Sequence, residues 1–180
     1  MNVEIIKYPD KRLKQVSAPV DVFDFKLQDF VGELEKIMRA GPGGVGIAAS
    51  QVGCFQRIVI VDVSDIRKLP AHSSNNGCMV LINPEITEWE GMVMGREGCM
   101  SVPDFTGNVI RAEKIAFTAF DVQGTQHRFN SEGYEARAVQ HEVDHLDGML
   151  FLDRLVSRRA DLFKRKVYKQ IKKSSLPNNV

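Results

Sequence analysis

The segment His141-Glu142-Val143-Asp144-His145 places two imidazoles four residues apart with a carboxylate between them. On a helix, residues at that spacing project from one side, so both imidazoles can grip one metal ion while Glu142 stands ready to move protons. The chemistry this suggests is metal-dependent hydrolysis. Sites of that kind commonly use three protein ligands and keep a position for water, so a third donor must come from elsewhere as Cys, Asp, Glu or His. Cys99 stands out in Glu97-Gly98-Cys99-Met100-Ser101, where a glycine keeps the backbone approachable. By itself, a lone cysteine is more simply a small core residue.

A third segment, Gly44-Val45-Gly46-Ile47-Ala48-Ala49-Ser50-Gln51, joins small residues to a terminal amide. It lacks the lysine and hydroxyl residue of a phosphate-cradling loop, which leaves a tightly packed turn as its plain reading. His72, in a polar loop, and His127, in an expected hairpin, read as exposed rather than liganding. Asp144 reads equally as a partner to the metal site or as a solvated helix charge.

The elements that must carry these residues follow from periodicity. From Asp24 to Ala40, residues Leu27, Phe30, Val31, Leu34, Ile37 and Met38 recur at helical spacing, with Asp24 as the N-cap, and Gly41-Pro42-Gly43-Gly44 ends the run. Arg57 to Val63 reads as a buried strand. Shorter strands are expected at Val80 to Ile82, Ile86 to Trp89, Val109 to Arg111 and Ile115 to Asp121, with Gln126 to Phe129 returning across an Asp121–Gly124 turn. Tyr134 to His145 is the helix bearing the metal motif. From about Ser157 to Lys173 the apolar residues Val156, Ala160, Phe163, Val167 and Ile171 predict a last, basic helix.

Together these predict an α+β fold, with short, mainly antiparallel strands packed around a central metal-binding helix and a C-terminal helix. The 180 residues, 43% hydrophobic, suit one catalytic domain over 1–155, with a basic helix and frayed tail over 156–180 belonging to the same domain. No apolar run is long enough for a membrane span, no secretory layout opens the chain, and its three cysteines are an odd number. A cytoplasmic location with reduced thiols is therefore expected, and neither DNA nor membrane is expected as a partner. The formal net charge of +1 conceals an asymmetry, since nine basic residues and one acidic one lie from Arg154 onward.

Taken in chain order, Gly44 to Gln51, Glu97 to Ser101 and Gln140 to Leu146 resemble the three signature motifs of peptide deformylases. The similarity extends through Tyr8-Pro9-Asp10, Arg57 to Val63, Leu81-Ile82-Asn83-Pro84 and Arg111-Ala112-Glu113-Lys114, covering the chain to about residue 155. It implies Cys99, His141 and His145 as metal ligands, Glu142 as general acid/base, and Gln51 with the Met100 backbone N–H as oxyanion donors. The backbone of Gly46 and of Gly98 to Met100 would hold the peptide. Val45, Met100, Tyr134, Ala138 and His141 would line a pocket for the methionine side chain.

The resemblance further implies a formyl-methionine N-terminus of nascent polypeptides as substrate. One thiolate and two neutral imidazoles form a borderline-soft set that accepts Fe²⁺, Zn²⁺, Ni²⁺ or Co²⁺, and the resemblance implies ferrous iron in the cell. It also implies contact between the basic C-terminal helix and the ribosome, for which a solvated helix face is the plainer alternative. Ser50, Met100 and Arg137 depart from commoner family residues, and Arg137 stands where it could reshape the substrate pocket. Two rival functions are a zincin-like endopeptidase, from His-Glu-x-x-His alone, and an inactive ribosome-associated homologue.

Overall fold

The computed structural model describes residues 4–41, 43–70 and 72–165. Helix α1 (Phe25–Ala40) starts where Asp24 accepts a hydrogen bond from the Leu27 N–H at 3.0 Å, and it buries Leu27, Val31, Leu34 and Met38. The chain then enters β1 (Gly46–Ala48), which pairs antiparallel with β2 (Ile58–Val61). All four residues of β2 are buried. Alternate side chains leave opposite faces of a strand. Ile58 and Ile60 join the cluster holding Leu34 and Met38 of α1, while Val59 and Val61 join Ala136, Val139 and Leu146 of α2 (Gly133–Leu146). A helix covers each face, which is why this strand reads as an unbroken apolar run.

The two strands expected at 80–82 and 86–89 are one strand, β3 (Met79–Glu90). Its bend lies at Asn83, where φ is 50° and the register shifts. The Asn83 amide stabilises that bend by pairing with both the N–H and the carbonyl of Val20, at 2.8 and 2.9 Å. Strands β6 (Lys114–Phe120) and β7 (Gln126–Glu132) complete a five-stranded antiparallel sheet in the order β1-β2-β3-β6-β7. Asp121 shapes the turn between β6 and β7 by accepting the Gln123 and Thr125 N–H groups, each at 2.9 Å.

A second sheet, in the order β4-β5-β8, contains β4 (Val93–Cys99), β5 (Val102–Arg111) and β8 (Leu162–Lys164). Val102 and Val109 of β5 pack with Leu150, Phe151 and Leu152 beneath it. Both β1 and β4 are edge strands in their sheets. Helix α2 runs through the interior, with eleven of its fourteen residues buried. Its charged side chains must therefore find partners or shift toward their neutral form, because an unpaired charge in such surroundings is costly.

The expected helix from about Ser157 is corrected by the structure over residues 162–164. Within the described part of the expected helix, α3 (Arg158–Asp161) is helical, capped by Ser157, and Leu162–Lys164 form β8 instead. Pairing with Phe105–Gly107 of β5 satisfies the backbone there, and Leu162 packs onto the Phe151 cluster. A helix would direct those groups elsewhere, and the local apolar spacing does not register this competition. The rest of the expected helix, the tail and most of the basic run lie outside the described residues. Among the described residues, no helix is long and apolar enough to cross a membrane.

Candidate active site

The alternation of β4 sets the site. Its pattern leaves Arg96 and Gly98 exposed and turns Glu97 and Cys99 inward, two residues apart on one face. Across from them, α2 presents His141 and His145, whose rings lie 5.0 Å apart and nearly perpendicular. The potential ligand atoms of Cys99, His141 and His145 all lie within 4.8 Å of one another, and all three residues are buried. Cys99 Sγ is 3.2 Å from His145 Nε2. A thiolate and two imidazoles at these separations suit a borderline-soft divalent ion.

The electrostatics agree with that donor set. Burial alone would raise the Cys99 thiol, but His145 and then His141 hold it well below the ordinary thiol value. His141 behaves in the opposite sense. Burial would lower it, yet Cys99 and Glu97 raise it well above the usual imidazole value. The same field that draws a proton among these groups favours a cation there.

Glu97 orients His141 by accepting from its Nδ1 at 2.9 Å, which leaves Nε2 for coordination. Its carboxylate also accepts from Arg111 at 2.9 and 3.0 Å and from Arg137 at 2.9 Å. Burial opposes ionisation of Glu97, but His141 and Arg111 hold it well below the carboxylate range. Neither Glu97 nor Arg111 is identified from sequence as a site residue. The available signal was the two-residue step from Glu97 to Cys99, which is informative only once residues 93–99 are known to form a strand.

Asp144 is buried rather than solvated, and it binds Arg111 at 2.5 Å and Arg154 at 2.6 Å. It supports the Glu97 pair through Arg111 rather than touching either histidine. His72 and His127 are exposed, away from this cluster.

Glu142 is buried, and its Oε2 has no hydrogen-bond partner. Burial raises its carboxyl to about 7, against the pull of His141 and His145. A carboxyl so placed can both take and return a proton near neutral pH. Gly46 makes room for it, because a Cβ at that position would lie 2.8 Å from Glu142 Cδ. The Gln51 amide is held at both ends. Oε1 accepts from the Ala48 N–H at 2.9 Å, and Nε2 donates to Ser101 Oγ at 2.9 Å and approaches Cys99 Sγ at 3.4 Å.

Two adjoining hollows open beside Glu142. One, of about 70 Å³, brings together Val45, Gly98, Tyr134, Ala138 and His141. The other, of about 60 Å³, brings together Gly46, Gln51, Cys99 and Met100. Arg137 lines the first, with its guanidinium turned to Glu97 and to the carbonyls of Val93 and Val109. The larger grooves, about 680 Å³ beside Trp89 and about 450 Å³ beside Met92, are open surfaces away from the cysteine and histidines.

Residues 2–161 match the model of the polypeptide deformylase family. The chain belongs to that family. A peptide deformylase of Alkalilimnicola ehrlichii is 40% identical over 170 residues, covering 94% of this chain and 91% of the relative. Among solved structures, the peptide deformylase of Thermotoga maritima superimposes with a TM-score of 0.77 at 33% identity, covering 86% of this chain and 98% of that one. A Met-Ala-Ser-bound class I type b peptide deformylase from Acinetobacter baumannii gives 0.76 at 34% identity, covering 85% and 98% respectively. The chain is thus a peptide deformylase by family, with a buried Cys-His-His group able to hold a metal ion.

Proposed function

We propose that the chain hydrolyses the formamide at the formyl-methionine end of newly made polypeptides and releases formate. The observation that carries this reading is the buried, unpartnered Oε2 of Glu142 beside the Cys99, His141 and His145 donors. Those three side chains would hold one divalent ion, ferrous iron by family resemblance. Such an ion supplies a water acidified toward neutrality.

Glu142 takes the proton of the attacking water and delivers one to the amine nitrogen as its bond to the formyl carbon breaks. A carboxyl raised to about 7 suits both transfers. As the formyl oxygen gains charge, the Gln51 amide and the Met100 N–H donate to it, each contributing a factor of roughly 10² to 10³. The Ala48 N–H on Oε1 supports this role for Gln51, because it directs Nε2 toward Cys99.

The peptide runs extended between the free edges of β1 and β4, with backbone contacts at Gly46 and Gly98 to Met100. Its methionine side chain enters the hollow at Val45, Tyr134 and Ala138, close to Met100 and His141. The Met-Ala-Ser peptide in the Acinetobacter baumannii relative supports a ligand of this kind.

The test is formate release from formyl-Met-Ala-Ser by wild type and Glu142→Gln, with metal content measured on both. The variant keeps its metal and loses turnover by roughly 10² to 10⁴, and equal turnover sinks the assignment. Cleavage of an internal bond in a longer unformylated peptide would point instead to an endopeptidase.

A further inference from the structure

The hollow around Glu142 has a cationic wall that formyl hydrolysis does not require. Arg165 follows directly on β8, and its backbone N–H donates to the Asp104 carbonyl at 2.9 Å, which sets where the side chain leaves the sheet. Its guanidinium lies on the exposed side of Gly98. A Cβ added there would sit 3.4 Å from Arg165 Cζ and closer still to Nη2. Arg165 also lines the hollow that contains Gln51, Cys99, Met100 and Glu142.

Two features hold the arginine in this position. Phe163 of β8 stacks under Arg96 of β4, with Cζ 3.6 Å from the ring centre, and the pairing of Phe105 with Lys164 fixes the register immediately before Arg165. The neighbouring carboxylate on β4 is already committed, since Glu97 is shared among Arg111, Arg137 and His141. Among the described residues, Arg165 forms no salt bridge. Its planar fork of donors matches a carboxylate.

A formylated N-terminus carries no charge, so the first anion that a long or C-terminally amidated formyl peptide can offer is the side chain of a later residue. Resting on the deformylase reading above, we propose that Arg165 is a specificity-determining residue that favours formyl peptides with Asp or Glu soon after the methionine. At about 3.3 Å per extended residue, a chain whose formyl carbon stands at Glu142 brings its next two or three residues past Gly98. The pair is partly solvated, so the preference is modest and sensitive to salt.

Steady-state kinetics of the metal-loaded full chain on C-terminally amidated formyl-Met peptides with Glu, Gln or Lys at the second, third or fourth position test this. For one position, wild type shows a KM roughly two- to fivefold lower for Glu than for Gln at low ionic strength, and the gap closes as salt rises. Arg165→Gln removes the gap and Arg165→Glu turns it toward Lys peptides. Arg159→Gln, on the exposed surface of α3, retains it.

Equal KM values in wild type overturn the inference, as does a preference that survives Arg165→Gln. A uniform rise in KM for every peptide would overturn it too, assigning the guanidinium to main-chain oxygens. Turnover of formyl-Met-Ala-Ser without charge discrimination would sink the Arg165 role alone. Failure to turn over any formyl peptide would sink the deformylase reading and this inference with it.

Discussion

Gly46 and Glu142 are in direct contact across the interface between β1 and α2, with no space for a side chain at residue 46. The first methyl group added there must displace the Glu142 carboxylate, whose Oε2 is unpartnered. Displacement of a reacting group by about 1 Å can cost 10²-fold in rate. Gly46→Ala is accordingly expected to lose turnover of formyl-Met-Ala-Ser by about that factor while retaining bound metal. Unimpaired kcat would show that Glu142 needs no such fixed position.

Glu97 is the acceptor for His141 Nδ1 and also the counter-charge for Arg111 and Arg137. Glu97→Gln keeps the shape but removes the charge. Metal affinity should fall by about 10- to 100-fold, as expected for loss of a partner that orients a ligand. Stability should drop by about 3–5 kcal/mol because buried guanidinium charge is left uncompensated. Metal titration and urea unfolding read the two effects separately, and an unchanged metal affinity would count against the orienting role.

Asp62 supplies a pH test away from the metal. Burial pushes its carboxyl up, but the Ser64 N–H and hydroxyl and the Arg39 guanidinium more than offset this and leave it lowered. A depressed folded-state value means that the stabilisation is fully present above the unfolded carboxyl value, about 3.9, and is lost as pH falls through the folded value. Asp62→Asn should therefore lower the unfolding temperature at pH 7, and the gap from wild type should narrow as pH falls below about 4. A gap that widens with acid would reverse the sign of the argument.

Gly107 lies where β5 receives β8. A Cβ there would meet Leu155 Cδ2 at 2.7 Å and Phe151 Cε2 at 2.9 Å. Gly107→Ala should destabilise by about 1–3 kcal/mol through overpacking, visible as a lower urea midpoint with an unchanged slope. No shift in the midpoint would mean that the Phe151 cluster yields more easily than a close-packed core should.

Some elements are legible from neighbouring residues alone. The Asp24 cap and the stripe from Leu27 to Met38 define α1, and residues 58–61 define a strand buried on both faces, because these signals arise within a few residues of chain. By contrast, β4 is obscured by Gly95, Gly98 and two charged residues, none favoured in strands. The C-terminal periodicity is equally uninformative about β8, whose backbone partner lies more than fifty residues earlier.

The sequence by itself determined that His141 and His145 share a helix face with Glu142 between them, because the geometry of one helical turn enforces that spacing. Together with the segments around Gln51 and Cys99, that motif also sufficed to suggest the family. Only the tertiary structure decided how the segments meet. The pleat of β4 turns Cys99 toward His145 and Glu97 toward His141, while the edge of β5 draws residues 162–164 into a sheet and carries Arg165 to the rim. Helical spacing is a property of adjacent residues, whereas these contacts depend on closing long loops of chain, a balance of packing and backbone pairing that no local pattern contains.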